Sequence, residues 1–204
     1  MILAGAGGHA REILDLLDEV DVKKIFLFDD YSQSGIKNIF RFPVLTSKDD
    51  LKDALVLDSN FILATGSPRV RRKMFDQFVA MGGICTSIIA KSAQISKHNV
   101  CLGQGINVMS FALVSNSVKI NNGCLINARV HIHHDVSIGD FCEIGPASIL
   151  LGNVSVGSNT KIGAGSVILP NVSIGEDCII AAGSVVTKNL TSGSKVKGPS
   201  AQLF

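Results

Sequence analysis

From Leu102 to Val186 an aliphatic residue recurs at every sixth position: Leu102, Val108, Val114, Ile120, Ile126, Ile132, and so on through Ile174, Ile180 and Val186. Fifteen consecutive hits exclude chance. A period of six matches neither an α-helix nor a simple strand. It is the signature of a left-handed parallel β-helix. Three hexapeptides make one triangular coil, and the branched residue of each repeat points inside.

A second position supports this reading. Two residues before each branched residue lie Val118, Cys124, Val130, Val136, Cys142, Ser148, Val154, Thr160, Ser166, Val172, Cys178 and Ser184. All are small or medium, as a narrow prism requires. Three of the five cysteines are therefore predicted to be compact core fillers. Glycine often follows the branched residue, as at Gly139, Gly145, Gly157, Gly163 and Gly175; these glycines are expected where the chain bends round a corner. Ser92-Ala93-Gln94-Ile95 reads as an earlier, out-of-phase turn. The open sheet edges at the coil ends need cover. The N-terminal part is expected to cap one end and the tail, Val196 to Phe204, the other. No long loop leaves the repeats, so any active site must use the sides of the prism, against a neighbouring subunit.

Residues 1–83 follow other rules and read as a small Rossmann-like α/β half-domain; the β-helix occupies 84–204. Ile2-Leu3-Ala4 is a short strand running into Gly5-Ala6-Gly7-Gly8, and Ile13, Leu14, Leu16, Leu17 and Val20 mark a helix. Further strands are predicted at Ile25–Phe28, closed by Asp29-Asp30, and at Phe61–Ala64, closed by Thr65-Gly66. Ser67-Pro68 is a helix start, with Ser67 as N-cap. That helix should turn Val70, Met74, Phe75, Phe78 and Val79 inward. Alternating strands and helices imply a parallel sheet.

Composition narrows the function classes. Nineteen basic against seventeen acidic residues leave a net charge of +2, with no asymmetry arguing for nucleic acid or an anionic membrane. Trp is absent and Tyr occurs once, which disfavours a stacking platform for single strands. No apolar run reaches the ~18 residues of a membrane span. The opening MILAGAGGHAREI does not read as a secretory signal. An odd number of cysteines without CxxC points to reduced thiols and a cytoplasmic setting.

Three of five histidines fall at His131, His133 and His134. The chain returns to the same face every eighteen residues, about 4.8 Å along the axis. Gly152 therefore stacks on His134, placing a bare backbone amide beside an imidazole. A general base plus an amide donor suits acyl transfer: the base takes a proton from an amine or hydroxyl, and the amide stabilises the oxyanion. Asp135 can orient the ring only through a bend or across a subunit interface, since neighbouring strand residues face opposite ways. The competing readings are exposed surface histidines or a metal site. For metal, no third ligand stands at fitting spacing. In the half-domain, Gly5-Ala6-Gly7-Gly8-His9-Ala10 satisfies G-x-G-x-x-A between strand and helix, a turn that sets amides against a phosphate. Asp29 and Asp30 stand where a sugar hydroxyl would bind. His9 either reaches a ligand or caps the helix. Arg69, Arg71, Arg72 and Lys73 form either a solvated face or a phosphate neighbour.

Taken together, GAGGHA, FDD, FILATGSPRVRRKMF, KSAQIS, INARVHIHHDVSIGDFCEIGPAS and the tail VVTKNLTSGSKVKGPSAQLF resemble the PglD/NeuD-type hexapeptide-repeat sugar acyltransferases, which include sialic acid O-acetyltransferases and nucleotide-sugar N-acetyltransferases. The resemblance spans nearly the full length. It implies that His134 is the catalytic histidine, Asp135 its acidic partner and Gly152 the amide that holds the thioester oxygen. It implies a nucleotide-sugar pocket from Gly7, Gly8, His9, Asp29, Asp30 and Gly66. It implies acetyl-CoA as co-substrate, without a metal, bound between prisms of a homotrimer near Gly152, Lys161, Ala164, Lys188 and Pro199. The implied role is acetylation of a nucleotide-linked amino sugar in surface-glycan precursor synthesis. One departure is Glu143, where some relatives carry a second histidine nine residues after the catalytic one; another is Ala90 in place of a histidine.

Three alternatives stand beside this expectation. O-acetylation of a sugar or sialic acid needs the same base. A non-catalytic sugar-nucleotide-binding module would not need the His134/Gly152 pair. A nicotinamide-dependent enzyme would need a second catalytic domain that the chain lacks.

Overall fold

The structure, a computed structural model, describes residues 1–18, 24–30 and 37–198. It divides into two compact units, Met1–Ser87 and Ile88–Phe204. Val20 and Pro199 lie outside the described residues.

The first unit holds β1 (Ile2–Ala4), α1 (Gly8–Asp18), β2 (Phe26–Phe28), β3 (Asn38–Ile39), β4 (Phe42–Leu45), α2 (Lys48–Leu57), β5 (Asn60–Leu63), α3 (Pro68–Ala80) and β6 (Ile84–Cys85). The sheet order is β3-β4-β2-β1-β5-β6. All its pairings are parallel except the β3–β4 hairpin. β1 sits centrally, with Leu3 opposite Leu27 and Ile62, and its three residues are buried. Ile84–Cys85, beyond the Gly82-Gly83 pair, still belongs to this sheet through Asn60 and Phe61.

Helix α2 and the β3–β4 hairpin go beyond the sequence reading, and α3 departs from it in its cap and in one face. Helix α2 is capped by Ser47, whose side chain accepts from the Asp50 amide, and it buries Leu51, Ala54 and Leu55. The hairpin turns at Phe40-Arg41 with Phe40 at φ 52, a conformation that such turns usually give to glycine or asparagine. In α3, Ser67 occupies the N-cap position but makes no side-chain cap bond. Val79, expected inside, is exposed. The buried face is Arg71, Met74 and Phe78 at helical spacing, so a cation takes one of the inward places.

The second unit is a left-handed parallel β-helix of eighteen two-residue strands, from Ile88–Ile89 to Lys195–Val196, in three parallel sheets. The sheets form a first face (starting at Ile88–Ile89), a second (starting at Gln94–Ile95) and a third (starting at Cys101–Leu102). Each strand pairs in register with the strand eighteen residues on: Val114 with Ile132, Ile132 with Leu150, Leu150 with Ile168. Every branched residue of the hexad is buried except Leu102, which is partly so. The out-of-phase turn is a true coil: Ile95 pairs with Val114 and Ile89 with Val108, one residue longer than the repeat. At the other end Val196 pairs with Ile180, a shortened coil, so Val196 is part of the prism rather than of a separate cap.

The buried position two before each branched residue does more than fill space. Ser148 Oγ donates to Gly163 O (2.9 Å), Thr160 Oγ1 to Gly175 O (2.9 Å), Cys124 Sγ to Gly139 O (2.9 Å) and Cys142 Sγ to Gly157 O (3.1 Å). Interior hydroxyls and thiols thus share one partner fifteen residues on, which satisfies groups that would otherwise be buried unpaired.

The bends are not made by the glycines after the branched residues. Positive φ falls two residues later, on Phe111, Ser117, Gly123, Arg129, Asp135, Phe141, Ala147, Asn153 and their successors. The following glycines serve close approach instead. A Cβ at Gly145 would lie 2.6 Å from Ile162 O and 2.7 Å from Ala164 N, and one at Gly139 2.6 Å from Ser158 N. The obstacle is the backbone of the next coil, which cannot swing away.

This contrast predicts that Gly145→Ala destabilises by about 1–3 kcal/mol through overpacking. Gly165, at φ +65 with open space around its would-be Cβ, should accept Asn within about 1 kcal/mol. Thermal unfolding followed by circular dichroism compares them; equal midpoints would refute the close-approach argument.

Candidate active site

The prism edge between the second and third faces carries His134 and Gly152 at equivalent places in consecutive coils, linked by the Asn153 amide donating to His134 O (3.1 Å). On the edge between the third and first faces, this place carries a capping side chain. Asn122 Oδ1 accepts from the Gln104 amide, Asp140 Oδ1 from the Asn122 amide and Ser158 Oγ from the Asp140 amide, at 2.9–3.1 Å. At Gly152 there is no side chain, and the imidazole of His134 folds into the vacated space. A Cβ on Gly152 would lie 2.5 Å from His134 Cε1 and 2.7 Å from Nε2. Gly152 is buried, and its N–H has no acceptor among the described residues.

Asp135 takes the left-handed corner conformation, φ 59, which aspartate tolerates better than most residues. The bend swings its carboxylate round to His134, with Nδ1 and Oδ2 2.8 Å apart. An ionised carboxylate only accepts, so Nδ1 carries the hydrogen and Nε2 keeps its lone pair on the Gly152 side. Both side chains are about half exposed (55% and 52%). The alternation argument against the pair fails because Asp135 is a corner residue, not a strand residue.

The residues expected around a coenzyme are dispersed within one chain. Lys188 shares the edge of Gly152, two coils further along, and lines a hollow of about 200 Å³ with Val185, Val186, Leu190 and Val196. Lys161 and Ala164 do not share that edge. They stand nine and twelve residues after Gly152, half and two-thirds of a coil round the prism. Ala164 is exposed at another corner. Lys161 lies on the first face, its Nζ 2.9 Å from Glu143 Oε2 in an ion pair whose angles fall short of a hydrogen bond. His131 is exposed on the second face and His133 is half-buried. Among the described residues, no three His, Cys, Asp or Glu side chains converge as a metal site.

The first unit contains a cleft of about 390 Å³ at the carboxyl ends of β1, β2 and β5. Gly7, Gly8, His9, Asp29 and Gly66 line it; Asp30, one residue past Asp29, is exposed and does not. Ala64 and Thr65 after β5 and Val70 and Met74 on α3 also line it, unforeseen from sequence because apolar residues such as Ala64, Val70 and Met74 look like core. The glycines divide their work. Gly5, at φ +132, passes so close to β5 that a Cβ would sit 2.7 Å from Ala64 O, whereas Gly7 and Gly8 face open space. The His9 side chain is 9% exposed, with Nδ1 3.0 Å from Glu12 Oε2. Burial holds its imidazole below the ordinary histidine range; Glu12 opposes this and the charge of Arg71 adds to it. Arg71 is fully buried, so the solvated-face reading fails for it.

Comparison with known proteins matches both units. Residues 1–78 match the PglD N-terminal domain. Residues 117–152 and 153–188 match the bacterial transferase hexapeptide (six repeats), and residues 135–170 the hexapeptide repeat of succinyl-transferase. Comparison with curated protein sequences gives no match. Among solved structures, PerB from Caulobacter crescentus, in complex with CoA and GDP-perosamine, is 30% identical over 97% of this chain and 93% of its own, with TM-score 0.87. The acetyltransferase domain of PglB from Neisseria gonorrhoeae, in complex with acetyl coenzyme A, is 27% identical over 97% and 95%, with TM-score 0.86. WeeI from Acinetobacter baumannii is 25% identical over 97% and 95%, with TM-score 0.89. With the PglD N-terminal domain matched over residues 1–78, hexapeptide repeats matched over 117–188 and a relative 30% identical over 97% of this chain, the protein belongs to the PglD-type hexapeptide-repeat sugar acyltransferases.

Proposed function

We propose that this protein is an acetyl-CoA-dependent N-acetyltransferase that acylates the free amine of a nucleotide-linked amino sugar. The observation that carries the reading is the His134 ring lying over Gly152 with Asp135 on its Nδ1. The relatives solved with CoA and GDP-perosamine or with acetyl coenzyme A support the substrate classes. The phosphates of the sugar nucleotide would meet the Gly7-Gly8 turn and the α1 N-terminus. Asp29 would take a sugar hydroxyl.

The amine nitrogen attacks the thioester carbonyl carbon while His134 Nε2 accepts its proton. Asp135 stabilises the imidazolium that forms and keeps the ring in the tautomer that accepts at Nε2. The Gly152 N–H donates to the oxyanion of the tetrahedral intermediate. Collapse breaks the carbon–sulfur bond, the thiolate recovers the proton from His134, and an amide and free coenzyme A leave. A homotrimer fits this chemistry. Ile149, Val167 and Val185 form an outward apolar stripe on the second face beside the His134 edge, with Val185 60% exposed. A neighbouring copy would bring Lys161 and Ala164 to the coenzyme that Gly152 and Lys188 begin to enclose. A cytoplasmic role in surface-glycan precursor synthesis completes the reading.

Thiol release from acetyl-CoA against UDP-, GDP- and dTDP-linked amino sugars tests it. His134→Ala should lower kcat on the best acceptor by roughly 10²–10⁴-fold with an unchanged melting temperature. Full turnover in that variant would remove His134 as the base, and turnover on sialic acid alone would favour O-acetylation. Gly152→Ala should reduce kcat by about 10²-fold or more, because its methyl displaces the ring and crowds the oxyanion position. Asp135→Asn, which keeps the corner conformation, should lower kcat at least about tenfold. An Asp135→Asn enzyme as fast as the wild type would show that the carboxylate does not orient the base.

A further inference from the structure

The largest fully buried side chain of the described residues is a cation. Arg71 is 0% exposed, yet it stands in the first turn of α3, in a basic run that sequence alone reads as either a solvated face or a phosphate neighbour. Its backbone N–H donates to Ser67 O, and its Nη1 turns back along the chain, donating to Leu63 O (3.2 Å) and Thr65 O (2.8 Å). These carbonyls bracket Ala64, whose own N–H donates to Ala4 O (3.0 Å). Ala64, Thr65 and Gly66 form one wall of the cleft; His9, with Gly7 and Gly8, forms the facing one. Arg71 touches neither the opening nor bulk water.

Filling this space would not require a charge. An apolar side chain of similar volume avoids the desolvation of a guanidinium and is often the more stable choice. A buried cation behind a cleft is instead an electrostatic device: low-dielectric walls carry its field into the opening. We propose that Arg71 is a positioning residue for a nucleoside diphosphate: from behind the wall it clamps the backbone of residues 63–65 that forms the cleft rim and places its charge behind that rim, without touching the ligand. The proposal rests on the nucleotide-sugar reading of this cleft.

The charged groups that face His9 are Glu12 from α1 and Arg71 from α3, with Asp29 at the end of β2 lining the same cleft. Burial and Arg71 both disfavour the imidazolium, while Glu12 favours it. Behind the cleft wall therefore stands one positive charge that does not titrate, and in the cleft an imidazole whose protonation is held below the ordinary histidine range. The protein's side of diphosphate binding then changes little with pH, and the remaining pH dependence belongs to the ligand's terminal phosphate, whose last ionisation lies at about pH 6. Removing the Arg71 charge lifts one of the two influences that lower the His9 pKa, so His9 gains a proton more readily as pH falls, and the variant's binding strengthens relative to wild type toward lower pH.

The test uses the full chain with Arg71→Met and Arg71→Lys, their folding checked by thermal melts. Calorimetry measures affinity for GDP, UDP and dTDP between about pH 6 and pH 8, and NMR follows the His9 ring, assigned through His9→Gln. The wild-type profile carries the ligand's own phosphate ionisation and is the reference against which each variant is read. Arg71→Met weakens binding on the order of tenfold near pH 8, recovers part of it toward pH 6, and shifts the His9 titration upward. Arg71→Lys keeps the charge but loses the rigid, planar guanidinium that aims Nη1 at both carbonyls; it leaves the His9 titration in place and weakens binding severalfold, a result that decides the matter even where Arg71→Met does not fold. Wild-type binding with both variants equally tight, or a His9 titration unmoved by Arg71→Met, overturns the proposal while leaving the nucleotide-sugar reading intact. A wild-type chain that binds none of the three nucleotides overturns both.

Discussion

The whole second unit depends on one coil stacking on the next in register, so that a residue's neighbour along the axis is the residue eighteen positions away. Ile132 meets Leu150, and His134 meets Gly152, by the same rule. The rule makes the interior a repeated choice between aliphatic and compact side chains. It also explains why serine, threonine and cysteine alternate with valine at the inner position, since their hydroxyls and thiols reach a carbonyl at a constant offset. Glycines after the branched residues follow from the same stacking, because the coil above leaves no room for a Cβ.

The register made the prism legible from sequence almost to the residue. It also made the His134–Gly152 pair legible, because that contact is set by translation alone. Asp135 was harder. Its contact depends on a left-handed corner, and a corner residue can be Phe, Arg, Ala, Asn or Asp here, so residue type did not betray it. The coenzyme candidates show the opposite limit. Lys161 and Ala164 came from family likeness, and the register of a single chain sends them to other sides of the prism, one of them to an ion pair with Glu143.

In the first unit no period propagates, and legibility was patchy for that reason. β1 and the inner face of α1 were plain from apolar spacing. Helix α2 carried a readable cap at Ser47 with Asp50 three residues on, but the hairpin before it turns at Phe40, which no turn rule would choose. For Arg71 the choice between a solvated face and a phosphate neighbour stayed open, because a run of basic residues at a helix start describes the helix, not the face each residue takes. Only packing separates it from Arg69, which is exposed one turn-fraction away. The cleft wall is likewise built by Ala64, Val70 and Met74, which carry no chemical mark.

The left-handed corners have a consequence for how such a chain changes over generations. The bend recurs at every sixth residue whatever side chain it bears, from Ser117 through Arg129 and Phe141 to Asn171. Each edge is therefore a row of mounts at fixed height; where the occupant is exposed, as at Arg129 and Asp135, it can be exchanged without disturbing the interior. An imidazole needs only a bare glycine one storey up to gain a place to lie. A reactive group could thus be moved along the edge by a whole coil, or installed twice, through two substitutions that leave the lattice of aliphatic residues untouched.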